Sequence, residues 1–292
     1  MIKNGQLSIT ALPYRAGVGA PPGVEVLDFD RLLVRATGHG VDPYDLQRPE
    51  FHKLITVRSG ELRCSLDFID YTLGPGSLLW VRPGQVHRYD SDLGAADGRV
   101  VLFLPDLLSR TTAHLAGAEL GIWQPASEPA SAGRDSLAQI LDLLEQEYAR
   151  WSRQPSQLQV ELLRHLLATL VLRLTALNGS PGGPDAGGDA FLLFREAVEE
   201  RFSSTRRVDD YANQLGYSVR TLTRASLAAV GHGAKQYIDD RVLLEAKRLL
   251  VHTDLPAAAI SHQLGFAGAT IFTKFFRHRT GQTPTEFRAR GA

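Results

Sequence analysis

Two sets of residues in this chain could do chemistry. The first lies in a pair of short stretches, "ANQLGYSVRTLTR" (212–224) and "SHQLGFAGATIFTK" (261–274). Leu215-Gly216-Tyr217 of the first recurs 49 positions on as Leu264-Gly265-Phe266. After the glycine come Ser218, Arg220, Thr221, Thr223 and Arg224 in one copy, and Ala269, Thr270, Thr273 and Lys274 in the other. Cations beside hydroxyls on one helix face are the chemistry of nucleic-acid contact. Arginine reads guanine bidentately, whereas lysine and threonine hold phosphate oxygens. The second set is the imidazoles His39, His52 and His87, with Glu61 nine residues past His52. No second histidine stands two residues from His52, and imidazoles without a well-spaced carboxylate fall short of a facial triad. His39, His52 and His87, with Trp80, are therefore expected to line a pocket as hydrogen-bonding groups, and neither a metal nor a cofactor is expected. There is no phosphate-binding glycine loop and no Gly-X-Ser-X-Gly elbow, so no enzyme activity is expected.

Composition bounds the partners. The 292 residues are 43% apolar and 22% charged, ordinary for a globular chain of about two domains. Net charge is zero, but its distribution is uneven. Residues 191–292 carry 15 Lys and Arg against 10 Asp and Glu, whereas residues 1–190 carry 17 against 22. A basic C-terminal third points to an anionic partner for that third alone. The single cysteine, Cys64, allows neither a disulfide frame nor a cysteine zinc site and fits a reducing compartment. The N-terminus lacks the apolar run of a signal peptide, and Glu161, Arg164, His165 and Arg173 interrupt the most apolar stretch. The expectation is a cytoplasmic protein without a membrane partner.

The elements that must position these residues follow from periodicity. "FHKLITVRSGELRCSLDFIDYTLGPGSLLWVRPGQVHRY" has short β-rich runs broken by turns, the pattern of a sandwich or barrel, and "GRVVLFLP" adds a strand. Leu137, Ile140, Leu141, Leu144 and Tyr148 then recur at helical spacing. In the next helix Val160, Leu163, Leu167, Leu170 and Leu174 form a heptad seam, expected to meet its copy in a homodimer. Asn178 to Ala190, rich in Gly, Pro and Asp, is expected to be a flexible linker. Beyond it, each repeated stretch predicts helix, turn, helix. Gly216 and Gly265 make left-handed turns, Ser218 caps a helix, and Leu222 and Phe272 face inward. Gly216 to Gly231 is 15 residues and Gly265 to Gly281 is 16, so past the turn the offset becomes 50 and Arg224 pairs with Lys274. "YIDDRVLLEAKRLLVH" is the rod between the copies.

"LGYSVRTLTRA", "RVLLEAKRLL" and "ISHQLGFAGATIFTKFFRHRTGQTPTEFR" resemble the double helix-turn-helix domain of the AraC/XylS transcription regulators. The resemblance implies double-stranded DNA as partner, with both recognition helices in consecutive major grooves. It implies base readers at Arg220, Thr223 and Arg224, and Ala269, Thr270 and Lys274 at the matching places. Ala234 departs from a frequent proline and Ser261 from a frequent alanine, and Ala269 lacks a hydrogen-bonding group, which puts direct readout by the second unit in doubt. "GSLLWVRPGQVH" (76–87) resembles the second motif of a cupin-like sensor barrel, which implies a small-molecule effector pocket. The expected fold is therefore α+β with two domains. A cupin-like β-barrel (about 20–125) with two helices (about 134–177) forms a sensor and dimerisation domain, 1–177. A linker, 178–190, leads to an all-α DNA-binding domain, 191–292, of two helix-turn-helix units joined by a linker helix. The expected function is a sequence-specific transcription regulator, an activator working with RNA polymerase. The rival is a cupin-type metalloenzyme fused to a DNA-binding domain.

Overall fold

The structure, a computed structural model, describes residues 10–116, 118, 134–151, 155–178 and 188–290. They fall into two compact units, within Ile9–Asn178 and Gly179–Ala292. Residues 179–187 of the expected linker, and 119–125 of the expected barrel, lie outside the described residues.

The N-terminal unit is a mixed α/β layer structure. One sheet has five strands in the order β1 (Thr10–Leu12), β3 (Gln47–Pro49), β8 (His87–Tyr89), β5 (Leu62–Leu66), β6 (Ile69–Leu73). The other has four, β2 (Val24–Asp28), β9 (Asp97–Phe103), β4 (His52–Ser59), β7 (Leu78–Val81). The pairings are antiparallel except for β1 on β3. Both sheets are open, and among the described residues no strand pairing joins them, so the expected cupin-like barrel is corrected to two separate sheets. Short strands punctuated by turns look alike in both architectures; closure depends on strand tilt and stagger, which the hydrophobic pattern does not encode.

The four-stranded sheet is buried on both faces, with the period of two that strands impose. Leu54, Trp80, Val101 and Phe103 face α2 (Arg110–Ala116), α3 (Arg134–Trp151) and α4 (Gln157–Asn178). Ile55, Val81, Val100 and Leu102 pack in a second core with Leu62, Cys64 and Tyr89 of the other sheet. Buried Arg99 on β9 pairs with Asp142 (2.6 Å) and Glu145 (3.0 Å), fastening α3 to the sheet. The heptad seam lies inside this unit. Leu163, Leu167, Leu170 and Leu174 are at most 1% exposed in the helix-side core, and Val160 is half-buried, so this stripe is covered within its own unit, by α2, α3 and the sheet behind them. A heptad stripe says that one face is covered, not by what. The helix α1 (Phe29–Gly38) has no counterpart in the sequence reading. Its signal is Asp28, whose carboxylate accepts from Arg31 N at 2.7 Å, followed by inward Phe29, Leu32 and Ala36.

The C-terminal unit is helical throughout its described residues: α5 (Gly188–Arg201), α6 (Val208–Leu215), α7 (Val219–Val230), α8 (Ala234–His252), α9 (Ala257–Gln263), α10 (Ala269–Thr280) and α11 (Pro284–Arg290). One core joins them, with α8 contributing Tyr237, Ile238, Val242, Ala246, Leu249 and Leu250. No described helix is long and apolar enough to cross a membrane.

Gly216 and Gly265 both adopt left-handed conformations (φ 71° and 67°), but in different surroundings. A Cβ on Gly216 would meet open space; one on Gly265 would lie 2.2 Å from the Ser203 carbonyl oxygen in the α5–α6 connection. Gly216→Ala should therefore cost about 1–2 kcal/mol, the ordinary left-handed penalty. Gly265→Ala should cost clearly more, as read by thermal and denaturant unfolding of the two variants side by side.

Candidate functional site

Each repeat builds the same wedge from its own sequence. In the first, α6 buries Tyr211 and Ala212 and ends at left-handed Gly216. Ser218 caps α7, its Oγ accepting from Thr221 N at 3.0 Å. Leu222, Ala225, Ser226 and Ala229 face inward. That leaves Arg220, Thr223, Arg224 and Leu227 exposed at i, i+3, i+4 and i+7, one face of the helix. Thr221 is half-buried beside its cap.

In the second repeat, α9 buries Ile260 and Ser261, the latter at the place Ala212 holds in the first. Gly265 turns, Phe266 is buried, and α10 turns Phe272 and Phe276 inward. The extra residue falls in the turn: two residues separate Gly216 from α7, three separate Gly265 from α10. The offset of 50 holds beyond it. Leu222 and Phe272 are both fully buried, and Arg224 and Lys274 both exposed. Thr270 is exposed, while Ala269 and Thr273 are half-buried. Gly268, not a side chain, stands at the N-cap of α10, so this helix lacks the hydroxyl cap of α7.

The sequence reading missed Arg277. It lies three residues past Lys274, exposed, at the place of Leu227, and the i, i+3 spacing would have found it. Among the described residues, none of Arg220, Arg224, Lys274 and Arg277 is held in a salt bridge. The remaining cations of the unit brace it. Arg241 on α8 donates to Glu199 at 2.9 Å and lies 3.7 Å over the Phe202 ring. Arg279 on α10 pairs with Asp240 at 3.2 Å, and Arg206 lies 3.6 Å over Phe266. The free cations thus share the two outward faces, and the paired ones hold the helices that carry them.

The four residues expected to line an effector pocket divide between two places. His52 and Trp80 face the helix side of the four-stranded sheet. The Trp80 indole donates to His52 Nδ1 (3.3 Å), and the imidazole stacks on Phe103 at 4.7 Å. His87 lies between the two sheets, accepting at Nε2 from the Lys53 ammonium (2.8 Å). His39 lines a cavity of about 260 Å³ next to that pair, walled by β1, α1 and Lys53, Phe51, Tyr89 and Leu102. His52, on β4, points to the helix side of its sheet and His87 lies at Lys53 on the opposite side, so the two do not share an ion. Among the described residues, no group of three or more His, Cys, Asp or Glu could hold a metal. Lys53 is the second residue that sequence reasoning missed. It alternates with Phe51, Ile55 and Val57, all buried, and that apolar company was the available signal.

Two glycine-turned helix pairs around one core, with unpaired cations on each second helix, define a helix-turn-helix DNA-binding protein. A model described as "Helix-turn-helix domain" matches residues 211–290, and one described as "AraC-like ligand binding domain" matches residues 26–172. The chain belongs to the AraC family of DNA-binding transcription regulators, and the rival metalloenzyme reading is set aside. It is 26% identical to the HTH-type transcriptional activator RhaR of Salmonella dublin over 268 residues, 89% of this chain and 93% of that protein. Among solved structures it is similar to ToxT of Vibrio cholerae, 13% identical with a TM-score of 0.41, covering 91% of this chain and 97% of that one. It is also similar to an AraC-type transcriptional regulator from Chromobacterium violaceum, 26% identical with a TM-score of 0.33, covering 36% of this chain and 93% of that one.

Burial, with nearby Arg82, pushes the His52 imidazole down to about 3. Its unfolded value is the ordinary one near 6.5, so on acidification the unfolded chain takes up this proton first. Stability should therefore fall as pH drops from about 6.5 towards 3. His87, depressed in the same direction by burial and by Lys53, adds to the slope. His52→Gln should flatten part of this acid limb, measured as melting temperature against pH; an unchanged limb would mean that His52 is already protonated in the fold.

Proposed function

We propose that the first wedge sets sequence specificity and the second supplies grip. Arg220, Thr223 and Arg224 read base edges in one major groove, with Ser218 and Thr221 at the helix start beside the backbone. Thr270, Thr273 and Lys274, with Arg277, hold phosphates in the next groove; Ala269, without a hydrogen-bonding group, contributes contact only. The carrying observation is the exposed face repeated at an offset of 50 on two helices whose opposite faces share one core. The spacing supports it. The 19 residues of α8 span about 28 Å, and packed helices at each end extend that towards the ~34 Å between successive groove faces.

The N-terminal unit is the sensor of this regulator, its cavity the effector site. The name of the similar RhaR, a transcriptional activator, supports activation, and RNA polymerase is the partner this reading assigns to it. A homodimer would form on the outer face of α4, where Leu158 and Leu162 are exposed, since the expected seam is inside. The setting is the cytoplasm, where the DNA is.

Arg224→Ala should weaken binding to the selected operator by about 1–3 kcal/mol and relax one base position, whereas Lys274→Ala should weaken all sequences alike and lower the salt slope by about 1. Binding-site selection followed by affinity measurement over a salt series checks both. Equal losses on operator and random DNA for Arg224→Ala would make it a phosphate contact, and a flat salt response would count against nucleic-acid binding.

A further inference from the structure

We propose that the cavity of the N-terminal unit takes a small organic carboxylate, its anionic head against Lys53 and Tyr89 and its apolar body against Leu32, Phe51 and Leu102. This rests on the reading of that unit as the ligand-binding part of the regulator. The starting point is a buried cation without a counter-ion. Lys53 is 3% exposed, and its hydrogen-bonding neighbour is a neutral imidazole, His87. None of the residues lining the cavity is acidic. The nearby buried carboxylate, Glu25, is engaged at both oxygens by Arg35, each at 3.0 Å. Buried charges are normally paired, because desolvation otherwise disfavours them strongly. A lysine on a strand face shared with Phe51, Ile55 and Val57 does nothing for packing that a methionine would not do, so its charge is directed at something that enters the cavity.

The surroundings favour an anion with an apolar body. Arg15 also lines the cavity, as does Arg35, which is already paired with Glu25. The Tyr89 hydroxyl is buried without a hydrogen-bond partner, 2% exposed, on a ring 5.1 Å from the Lys53 nitrogen. A carboxylate could take one hydrogen bond from each. The rest of the wall is largely aliphatic and aromatic, and about 260 Å³ suits a molecule of modest size rather than a sugar polymer or a nucleotide.

Proton uptake follows from the same arrangement. Burial, and then Arg35, bring Lys53 down to about 7 in the empty cavity. Arg15, Arg35 and His39 line the same cavity, and His87, Tyr89 and Cys64 surround the lysine on the sheet side. Burial holds His87 neutral and the Tyr89 phenol and Cys64 thiol protonated. A bound carboxylate favours the ammonium, so its affinity should be highest below pH 7 and fall as pH rises above it, with up to one proton taken up per molecule bound.

Calorimetry of the full chain with hexanoate and 3-phenylpropionate, each against its primary amide, tests this. The carboxylate should bind at least tenfold more tightly than its amide at pH 6.5. The preference should shrink between pH 7 and 9 and disappear in Lys53→Met. Tyr89→Phe, which removes only the hydroxyl, should reduce it severalfold and keeps the test open should Lys53→Met fold poorly. Equal binding of acid and amide, a preference that survives Lys53→Met, or no binding of either acid overturns the inference. Duplex-DNA binding by the same preparations separates the two readings. Intact DNA binding without carboxylate preference removes this inference alone, whereas loss of DNA binding by the wild-type chain removes the regulator itself.

Discussion

The packing of one helix, α8, fixes everything the C-terminal unit can do. Its inward residues, from Tyr237 to Leu250, are shared by both helix pairs, so neither pair has a complete core without it. Polar contacts pin it on several sides: Arg241 to Glu199 of α5, Arg279 of α10 to Asp240, and the Arg288 guanidinium of α11 donating to the Leu250 carbonyl at 2.8 Å. The Ser203–Arg206 connection then reaches the second turn directly, its carbonyl against Gly265 and Arg206 over Phe266. These contacts join α7 and α10 through α8 within one compact unit with a single core.

The N-terminal unit uses strand parity for a comparable purpose. β4 carries His52 and Leu54 towards the helices and Lys53 and Ile55 towards the second sheet. The helix-side face is closed, with His52, Trp80 and Phe103 packed ring against ring and Arg82 4.3 Å over Trp80. The other face opens into the cavity. On that second face Lys53 reaches the cavity while Ile55 and Val57 beside it pack in the core shared with the other sheet, and α3 is tied to the four-stranded sheet through Arg99.

The C-terminal half was legible because its information is local. A glycine in a left-handed turn, a serine at a cap and an apolar residue every three or four positions are each fixed by neighbours within one turn, and the duplication let each copy check the other. Even the extra residue before α10 could be placed by counting. The N-terminal half was less legible because its deciding facts are long-range. Whether strands close into a barrel depends on pairings between distant segments. Whether His52 and His87 meet depends on which faces of two different sheets they occupy. The leucines from Leu163 to Leu174 read equally well against a helix of another chain or the core of their own unit, and the core built by α2, α3 and the four-stranded sheet takes them. Lys53 was passed over because a lysine in a strand is usually solvated; only its buried companions at alternate positions mark it as different.

Hydroxyl-radical footprinting of the full chain on a selected DNA site tests the central claim, that α8 holds two wedges for neighbouring turns of one duplex. Two protected patches about ten base pairs apart on the same face of the DNA are expected for each bound chain. One patch per chain, or two on opposite faces, would contradict the account.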